Sequence, residues 1–294
     1  MPLVSVILPT RDRPALLPRA LESVLRQVHR DLEIVIIDNN QKSPPLREAP
    51  AFAHWLDDPR VRVVPSPSAA NASAARNAGL AVARGEWISY LDDDDAYHPA
   101  KLSEQLALAQ KTGAALVICG YTVNLRRRRR TRQVAPPAFE GDALLLDANW
   151  GTPFLFHRRD DALEFSEKLG AGHDTFFAHQ FLCKYDQRVV PNCTRSLVEV
   201  YPQVGAKRVH ADGEAIWRSH EMVRELGPER FTPAAWRAFM ATGALVRAQF
   251  GHGSFAHFLR CAGDAAWTLG PKSVRLIANA TARRLGWFKD WVVS

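Results

Sequence analysis

The segment SYLDDDDAYHP, Ser89 to Pro99, sets Asp92, Asp93, Asp94 and Asp95 side by side directly behind the apolar run WISYL. Four adjacent carboxylates repel one another, and a solvated acidic turn is the bland way to tolerate them. Their place behind a run that reads as a buried strand favours a hard divalent cation as the counter-charge. The stretch lacks the alternating oxygen ligands, the glycine at the sixth loop position and the closing glutamate of an EF-hand. A few carboxylates without a complete protein cage suit Mg²⁺ or Mn²⁺ that takes its remaining ligands from phosphates. The residues point to a metal-diphosphate site.

Other phosphate chemistries find less support. No GxxxxGK[ST] occurs, which argues against P-loop chemistry. GAGHDT, Gly170 to Thr175, has two of the glycines of a dinucleotide fingerprint but lacks the third, and no strand-turn-helix unit surrounds it.

The elements that must position these carboxylates are legible in the apolar spacing. LVSVILP (Leu3 to Pro9), EIVIID (Glu33 to Asp38), VRVVP (Val61 to Pro65), EWISYLD (Glu86 to Asp92) and AALVICGY (Ala114 to Tyr121) read as buried strands. Between them, Pro14 to Val28 carries Leu16, Leu17, Ala20, Val24 and Leu25 at helical spacing. Asn71 to Ala83 reads as a helix stopped by Gly85, and Pro99 to Lys111 as one opened by proline. Apolar strands alternating with helices predict a mostly parallel sheet covered on both faces. Ligands of such sheets lie outside the carboxyl ends of the strands, where Pro9, Thr10 and Arg11, then Asp38 to Asn40, then Asp92 to Asp95 follow.

The chain has 294 residues, 47% apolar and 23% charged. That suits one large domain or a domain with an appended module. A formal charge of +7, from 38 Lys and Arg against 31 Asp and Glu, fits an anionic partner: phosphate compounds, anionic lipid headgroups or nucleic acid. Cys119, Cys183, Cys193 and Cys261 lie far apart without metal-ligand spacing, so free thiols in a reducing compartment are expected. The opening MPLVSVILP lacks a basic region and stops at proline, unlike a signal peptide, and no window approaches the roughly 20 apolar residues of a spanning helix. The expected location is the cytoplasm. Arg126 to Arg130 in the run RRRRR read as an exposed hairpin tip or loop, a solvated turn or a contact for an anionic acceptor or lipid.

The segments VSVILPTRDRPALLPRALESVLRQ, EIVIIDNN, ASAARNAGLAVARGEWISYLDDDDAYHPAKL and GHDTFF together resemble a family two glycosyltransferase of the GT-A fold, over about Leu3 to Asp186 and in the family's order. The resemblance implies a Rossmann-like α/β sheet and transfer of a sugar from a nucleotide-diphosphate donor, UDP-linked as the first expectation. It also implies a divalent metal, an acceptor hydroxyl and inversion at the anomeric centre. It places Pro9, Thr10 and Arg11 beside the nucleotide and gives Asp38 the carboxylate that hydrogen-bonds the base, although DNN departs from the family's commoner acidic pair and leaves the base open. Arg76 and Asn77 match the helix residues beside the nucleotide. Asp92 and Asp94 match the DxD motif, Asp92 towards the ribose and Asp94 on the metal; Asp93 is a further nucleotide-side candidate, and Asp92 and Asp95 are further metal candidates because the register within the run is open. Asp174 matches the catalytic base, preceded here by His173 where the family commonly has glutamate; its alternative is a helix cap. The QxxRW signature of processive members is absent, so one sugar per encounter is expected, with Lys207 and Arg208 as diphosphate contacts.

The C-terminal stretch GPKSVRLIANATARRLGWFKDWVVS mixes Lys272, Arg275, Arg283, Arg284 and Lys289 with Trp287, Phe288 and Trp291. This suits a helix lying on an anionic membrane surface where a lipid-linked acceptor would be met, or one packing its aromatics on the catalytic domain. From about Asp212 the chain reads as helical, with Trp236, Phe239, Met240, Val246 and Phe250 approximating one face. The expected division is a catalytic domain over 1–210, with a nucleotide half to about 121 and an acceptor half from 122, and a helical region over 211–294. The partners expected are a nucleotide-sugar donor and a saccharide or lipid-linked acceptor, with no nucleic acid. A nucleotidyltransferase on a similar sheet is the runner-up, disfavoured by the lack of a glycine-rich phosphate loop after the first strand. A non-catalytic sugar-nucleotide or carbohydrate-binding protein is the reading from another class.

Overall fold

A computed structural model describes residues 1–125, 128–132, 138–140, 151–169, 172–202, 220–222, 224–225, 233–249 and 255–269. Strands β1 (Val4–Thr10), β2 (Leu32–Asp38), β3 (Val61–Pro65) and β4 (Trp87–Tyr90) form the first half of the sheet, in the order β3-β2-β1-β4 and all parallel. The second half contains β5 (Ala96–Tyr97), β6 (Leu116–Leu125), β7 (Arg128–Arg132), β8 (Ala138–Glu140), β9 (Phe156–Arg158) and β10 (Val189–Val200). It is mixed: β9 lies antiparallel between β4 and β6, β10 runs parallel to β6, and β5, β7 and β8 pair antiparallel with β10, β6 and β10 respectively. The parallel rule read from the sequence holds for the half that carries the strand-helix alternation. Of the later strands, β6 and β10 each follow a helix and keep the direction of β4, whereas β5, β7, β8 and β9 follow other strands among the described residues and turn back.

The helices over this sheet are α1 (Leu17–Leu25), α2 (Ala53–Leu56), α3 (Ala72–Leu80), α4 (Lys101–Thr112) and α5 (His173–Lys184). In β1 and β2, Val4, Val6, Ile7, Leu8 and Ile34 to Ile37 are buried on both faces, which is why these strands read as continuous apolar runs. α1 buries Leu17, Ala20, Leu21 and Val24, one stripe at spacings of three and four. Burial of each large apolar side chain contributes about 1.5–3 kcal/mol. α3 is capped by Asn71, whose side chain accepts from the Ala74 N–H at 3.0 Å. A Cβ on Gly79 would stand 2.5 Å from Ile7 Cγ2, so glycine there lets α3 lie close on β1. This helix ends at Leu80, short of Gly85, whose N–H instead donates to Ser5 Oγ beside β1.

The arginine run is an arm of a hairpin rather than its tip over the residues described: Arg128 to Arg132 pair with Leu125 to Tyr121 of β6. Arg126, Arg127, Pro136 and Pro137 lie outside the described residues. The four cysteines are free thiols. The chain divides into two compact units, the first carrying the sheet and α1 to α5. The second contains α6 (Pro233–Gln249) and α7 (Phe255–Leu269), which pack through Leu245, Phe258, Cys261, Ala262 and Ala265. Phe239 is buried as expected, but Met240 is exposed, because consecutive helical residues point about 100° apart. The side chains of Val246 and Phe250 lie outside the described residues, as does everything from 270 onward. Among the described residues no helix is long and apolar enough to cross a membrane.

Candidate active site

β4 ends at the buried Tyr90, and the chain then turns, with the Asp95 N–H donating to the Asp92 carbonyl at 3.1 Å. The turn sorts the four carboxylates by parity. Asp93 and Asp95 face inward and are buried, whereas the side chains of Asp92 and Asp94 keep 34% and 22% of their surface open. Asp93 accepts from Thr10 Oγ1 at 2.7 Å and pairs with Arg13 Nη2 at 2.5 Å. Burial still pushes its carboxyl up to about 6, against the pull of Arg13 and Thr10. Asp95 accepts from the Tyr201 N–H at 3.0 Å, and burial, with Asp92 and Asp94 adding to it, raises its carboxyl well above the ordinary value. Asp94 is raised by burial and then by Asp92; Arg13 Nη1 lies 3.2 Å from its Oδ2, and Arg19 donates to its backbone carbonyl. The Arg19 guanidinium sits 3.8 Å over the ring of Tyr201.

The donors fit a hard cation. Every candidate ligand in the turn is an oxygen, Asp92 and Asp94 reach solvent, and like charge between them raises Asp94. No group of three metal-ligating side chains occurs among the described residues, so a cation at the turn would need oxygens from elsewhere.

Opposite the turn stands the start of α5. Arg76 of α3, 4% exposed, donates from Nη2 to Asp92 Oδ1 at 2.6 Å and from Nη1 to His173 Nε2 at 3.1 Å. A guanidinium only donates, so His173 Nε2 carries the lone pair and the proton resides on Nδ1. Asp174 follows in the first turn of α5, half-buried, where the helix N-terminus favours negative charge. Its Oδ1 accepts from the Thr175 N–H at 2.9 Å. The helix axis is fixed from below by aromatic packing. Phe177 stacks on Phe165 at 4.2 Å, Phe165 meets the Tyr90 ring edge-on at 5.2 Å, and Phe181 packs on His157 at 4.8 Å. Tyr90 donates its hydroxyl proton to His157 Nε2 at 2.8 Å, since Nδ1 donates to the Arg158 carbonyl at 2.7 Å. Burial pulls this imidazole down to about 4 and keeps it neutral.

The remaining residues singled out in the sequence take different parts. Thr10 is spent on Asp93. Pro9 lies in β1 beside Ile37, and Arg11 is exposed, donating to Gln41 Oε1 at 2.8 Å. Asp38 pairs across from Thr10, and its carboxylate accepts the N–H of Asn40 at 3.2 Å and of Leu46 at 2.7 Å. Asn77 clamps the segment before α5, donating to the Phe165 carbonyl at 2.9 Å and accepting from its N–H at 2.8 Å. Lys207 and Arg208 lie outside the described residues. Arg13, Arg19 and Tyr201 went unremarked in the sequence. The two arginines had a signal, being cations in the loop after β1 and in the first turn of α1, near the ligand edge where four carboxylates need partners. Tyr201 had none, since only the fold brings the end of β10 to the turn.

An acidic turn at the carboxyl edge of a parallel half-sheet, facing a helix start that presents another carboxylate, defines a GT-A glycosyltransferase fold. The model of Glycosyl transferase family 2 matches residues 5–184, and the chain belongs to that family. The succinoglycan biosynthesis protein ExoO of Rhizobium meliloti is 31% identical over 173 residues, covering 53% of this chain and 49% of that protein. The chain thus matches about half the length of this relative. Among solved structures, S. aureus TarS in complex with UDP-GlcNAc superposes with a TM-score of 0.64 at 15% identity, over 96% of this chain and 88% of that one. The Pyrobaculum calidifontis mannosyltransferase PcManGT with GDP-Man and Mn²⁺ gives 0.61 at 17% identity, over 97% and 85%.

Proposed function

We propose that the chain is an inverting, metal-dependent glycosyltransferase that moves a sugar from a nucleotide-diphosphate donor to a hydroxyl of a saccharide or lipid-linked acceptor, in assembly of a polysaccharide or glycolipid. The observation that carries this reading is the bridge Asp92–Arg76–His173, which sets the acidic turn beside the helix start bearing Asp174. The relatives support it: ExoO is named for succinoglycan biosynthesis, and the two solved neighbours contain nucleotide-sugars, one of them with Mn²⁺.

Asp94, with Asp92 beside it, would hold Mn²⁺ or Mg²⁺; when bound, such an ion supplies positive charge for a leaving diphosphate. Asp174 takes the proton of the acceptor hydroxyl as general base. Arg76 holds Asp92 in place and, through His173, orients the first turn of α5. Asp93 and Asp95 serve the turn from within, and Thr10 and Asn77 act as supports for Asp93 and for the Phe165 segment. Asp38, Pro9 and Arg11 border the place of the base. Basic and aromatic residues of the C-terminal stretch would bring the enzyme to an anionic membrane face.

The test is a panel of nucleotide-sugars with Mn²⁺ or Mg²⁺, following nucleoside diphosphate release and product stereochemistry in wild type, Asp94→Ala and Asp174→Asn. Transfer with inversion that both substitutions lower by about 100-fold or more is the expected result. Full activity in both variants, or no sugar-nucleotide binding in the presence of metal, would sink the assignment.

A further inference from the structure

The acidic turn already faces a cation, and that cation belongs to the chain. Arg13 spans its buried and open sides, with Nη2 at 2.5 Å from Asp93 Oδ1 and Nη1 at 3.2 Å from Asp94 Oδ2. Asp94 is the residue assigned to the metal, so a divalent ion on that oxygen would meet the guanidinium as a like charge at close range. The two cannot share Asp94 Oδ2 favourably.

The backbone bearing Arg13 is fixed while its head is not. Asp12 adopts a left-handed φ of 54°. Its Oδ1 accepts the N–H groups of Gln41, Lys42 and Ser43 at 2.9, 2.7 and 2.8 Å. Its own N–H donates to Asn40 Oδ1 at 2.7 Å, and the Arg13 carbonyl accepts from the Leu16 N–H at 3.0 Å. These bonds fasten the loop after β1 to the loop after β2, both at the ligand edge. The Arg13 side chain, by contrast, is 45% exposed and can leave Asp94 by torsion alone, retaining or releasing Asp93.

We propose that Arg13 is a displaceable counter-cation that holds Asp94 in the free protein and transfers to the donor's diphosphate when metal enters, which makes metal and nucleotide bind together. The inference rests on the metal-diphosphate reading of the turn. A lone metal ion has to evict Arg13 and leave the guanidinium in water. A nucleoside diphosphate offers that fork a bidentate anionic partner and offers the metal its missing oxygens, so each ligand removes the obstacle to the other.

The experiment titrates Mn²⁺ into the full chain, reading free Mn²⁺ by electron paramagnetic resonance, with and without UDP or GDP, for wild type, Arg13→Ala, Arg13→Lys and Asp94→Ala. In the wild type the matching nucleotide raises Mn²⁺ affinity by about 50-fold, within the usual range of such couplings. In Arg13→Ala, Mn²⁺ alone binds about tenfold more tightly and the enhancement by nucleotide shrinks to about fivefold, with Arg13→Lys between the two. An enhancement equal in wild type and Arg13→Ala overturns the proposal, whatever happens to the affinity for Mn²⁺ alone, because Arg13 would then be only a nearby charge. Should Arg13→Ala not fold, as judged by its thermal melt, Arg13→Lys and Arg13→Gln decide on the same criterion. Nucleotide-dependent Mn²⁺ binding that survives unchanged in Asp94→Ala overturns the metal reading itself, an outcome distinct from the failure of Arg13 to couple.

Discussion

The turn after β4 and the first turn of α5 both bring carboxylates to one edge of the sheet, yet they are held by different means. In the acidic turn, Thr10, Arg13, Arg19, Arg76 and the Tyr201 backbone all reach in, from four separate parts of the chain. Asp174 has a backbone hydrogen bond from its neighbour, and the polar link across to the turn runs through His173 to Arg76. The acidic turn is fixed by many partners, whereas Asp174 rides on a helix seated by aromatic packing. On the proposed function, such an edge can keep diphosphate handling constant while the α5 side accommodates a different acceptor.

Substitutions at four residues test that contrast. Asp174→Asn should lower turnover by about 10²- to 10⁴-fold with donor binding and melting temperature little changed, because asparagine keeps an oxygen for the Thr175 N–H but cannot take the acceptor proton as proposed. A large loss of melting temperature would show that the helix start is as deeply built in as the turn. Asp94→Ala should cost about 100-fold in turnover and most of the response to added Mn²⁺, read from nucleoside diphosphate release at increasing metal.

The third test uses acidity. Asp93 has a folded value of about 6, above the unfolded 3.8, so its contribution to stability is fully present below the unfolded value and is lost as pH rises through 6. Asp95, also raised, acts in the same direction. Urea unfolding of the metal-free protein should therefore show Asp93 costing up to about 3 kcal/mol between pH 4 and pH 7, and Asp93→Asn should flatten much of that slope. A wild-type slope unchanged by Asp93→Asn would contradict the inward placement of this side chain. The smallest effect belongs to the link: His173→Ala should lower kcat about tenfold at constant donor KM, while His173→Gln, which keeps an acceptor for Arg76, should recover most of it. Equal behaviour of the two variants would mean that the bridge does not position Asp174.

How much of this was legible in the sequence differs between the two halves of the sheet. β1 and β2 are continuous apolar runs because both faces are covered, and α1 between them shows its stripe, so the parallel direction and the ligand edge followed from local pattern, whereas the order of the strands in the sheet did not. The insertion of β9 between β4 and β6 was not legible, since three residues, Phe156 to Arg158, carry too little periodicity to announce a strand. In the site, the acidic run and Asp174 stood out by residue type and family motif. The sorting of the run into inner Asp93 and Asp95 and outer Asp92 and Asp94 depends on the geometry of one turn. The link from Arg76 to His173 joins residues about a hundred positions apart, and no local signal reports such a pair.

The late arrival of β9 also orders the birth of the molecule. On a ribosome the parallel half can assemble once residue 90 has emerged, but β4 then waits with one edge open until residues 156–158 follow. During that interval the fully buried strand Trp87–Tyr90 is an unpaired apolar edge, the kind of surface on which nascent chains join one another. Its pairing with a short antiparallel strand covers that edge and joins β4 to β6, and a chain truncated before residue 156 should gather into aggregates rather than persist as a half-sized domain.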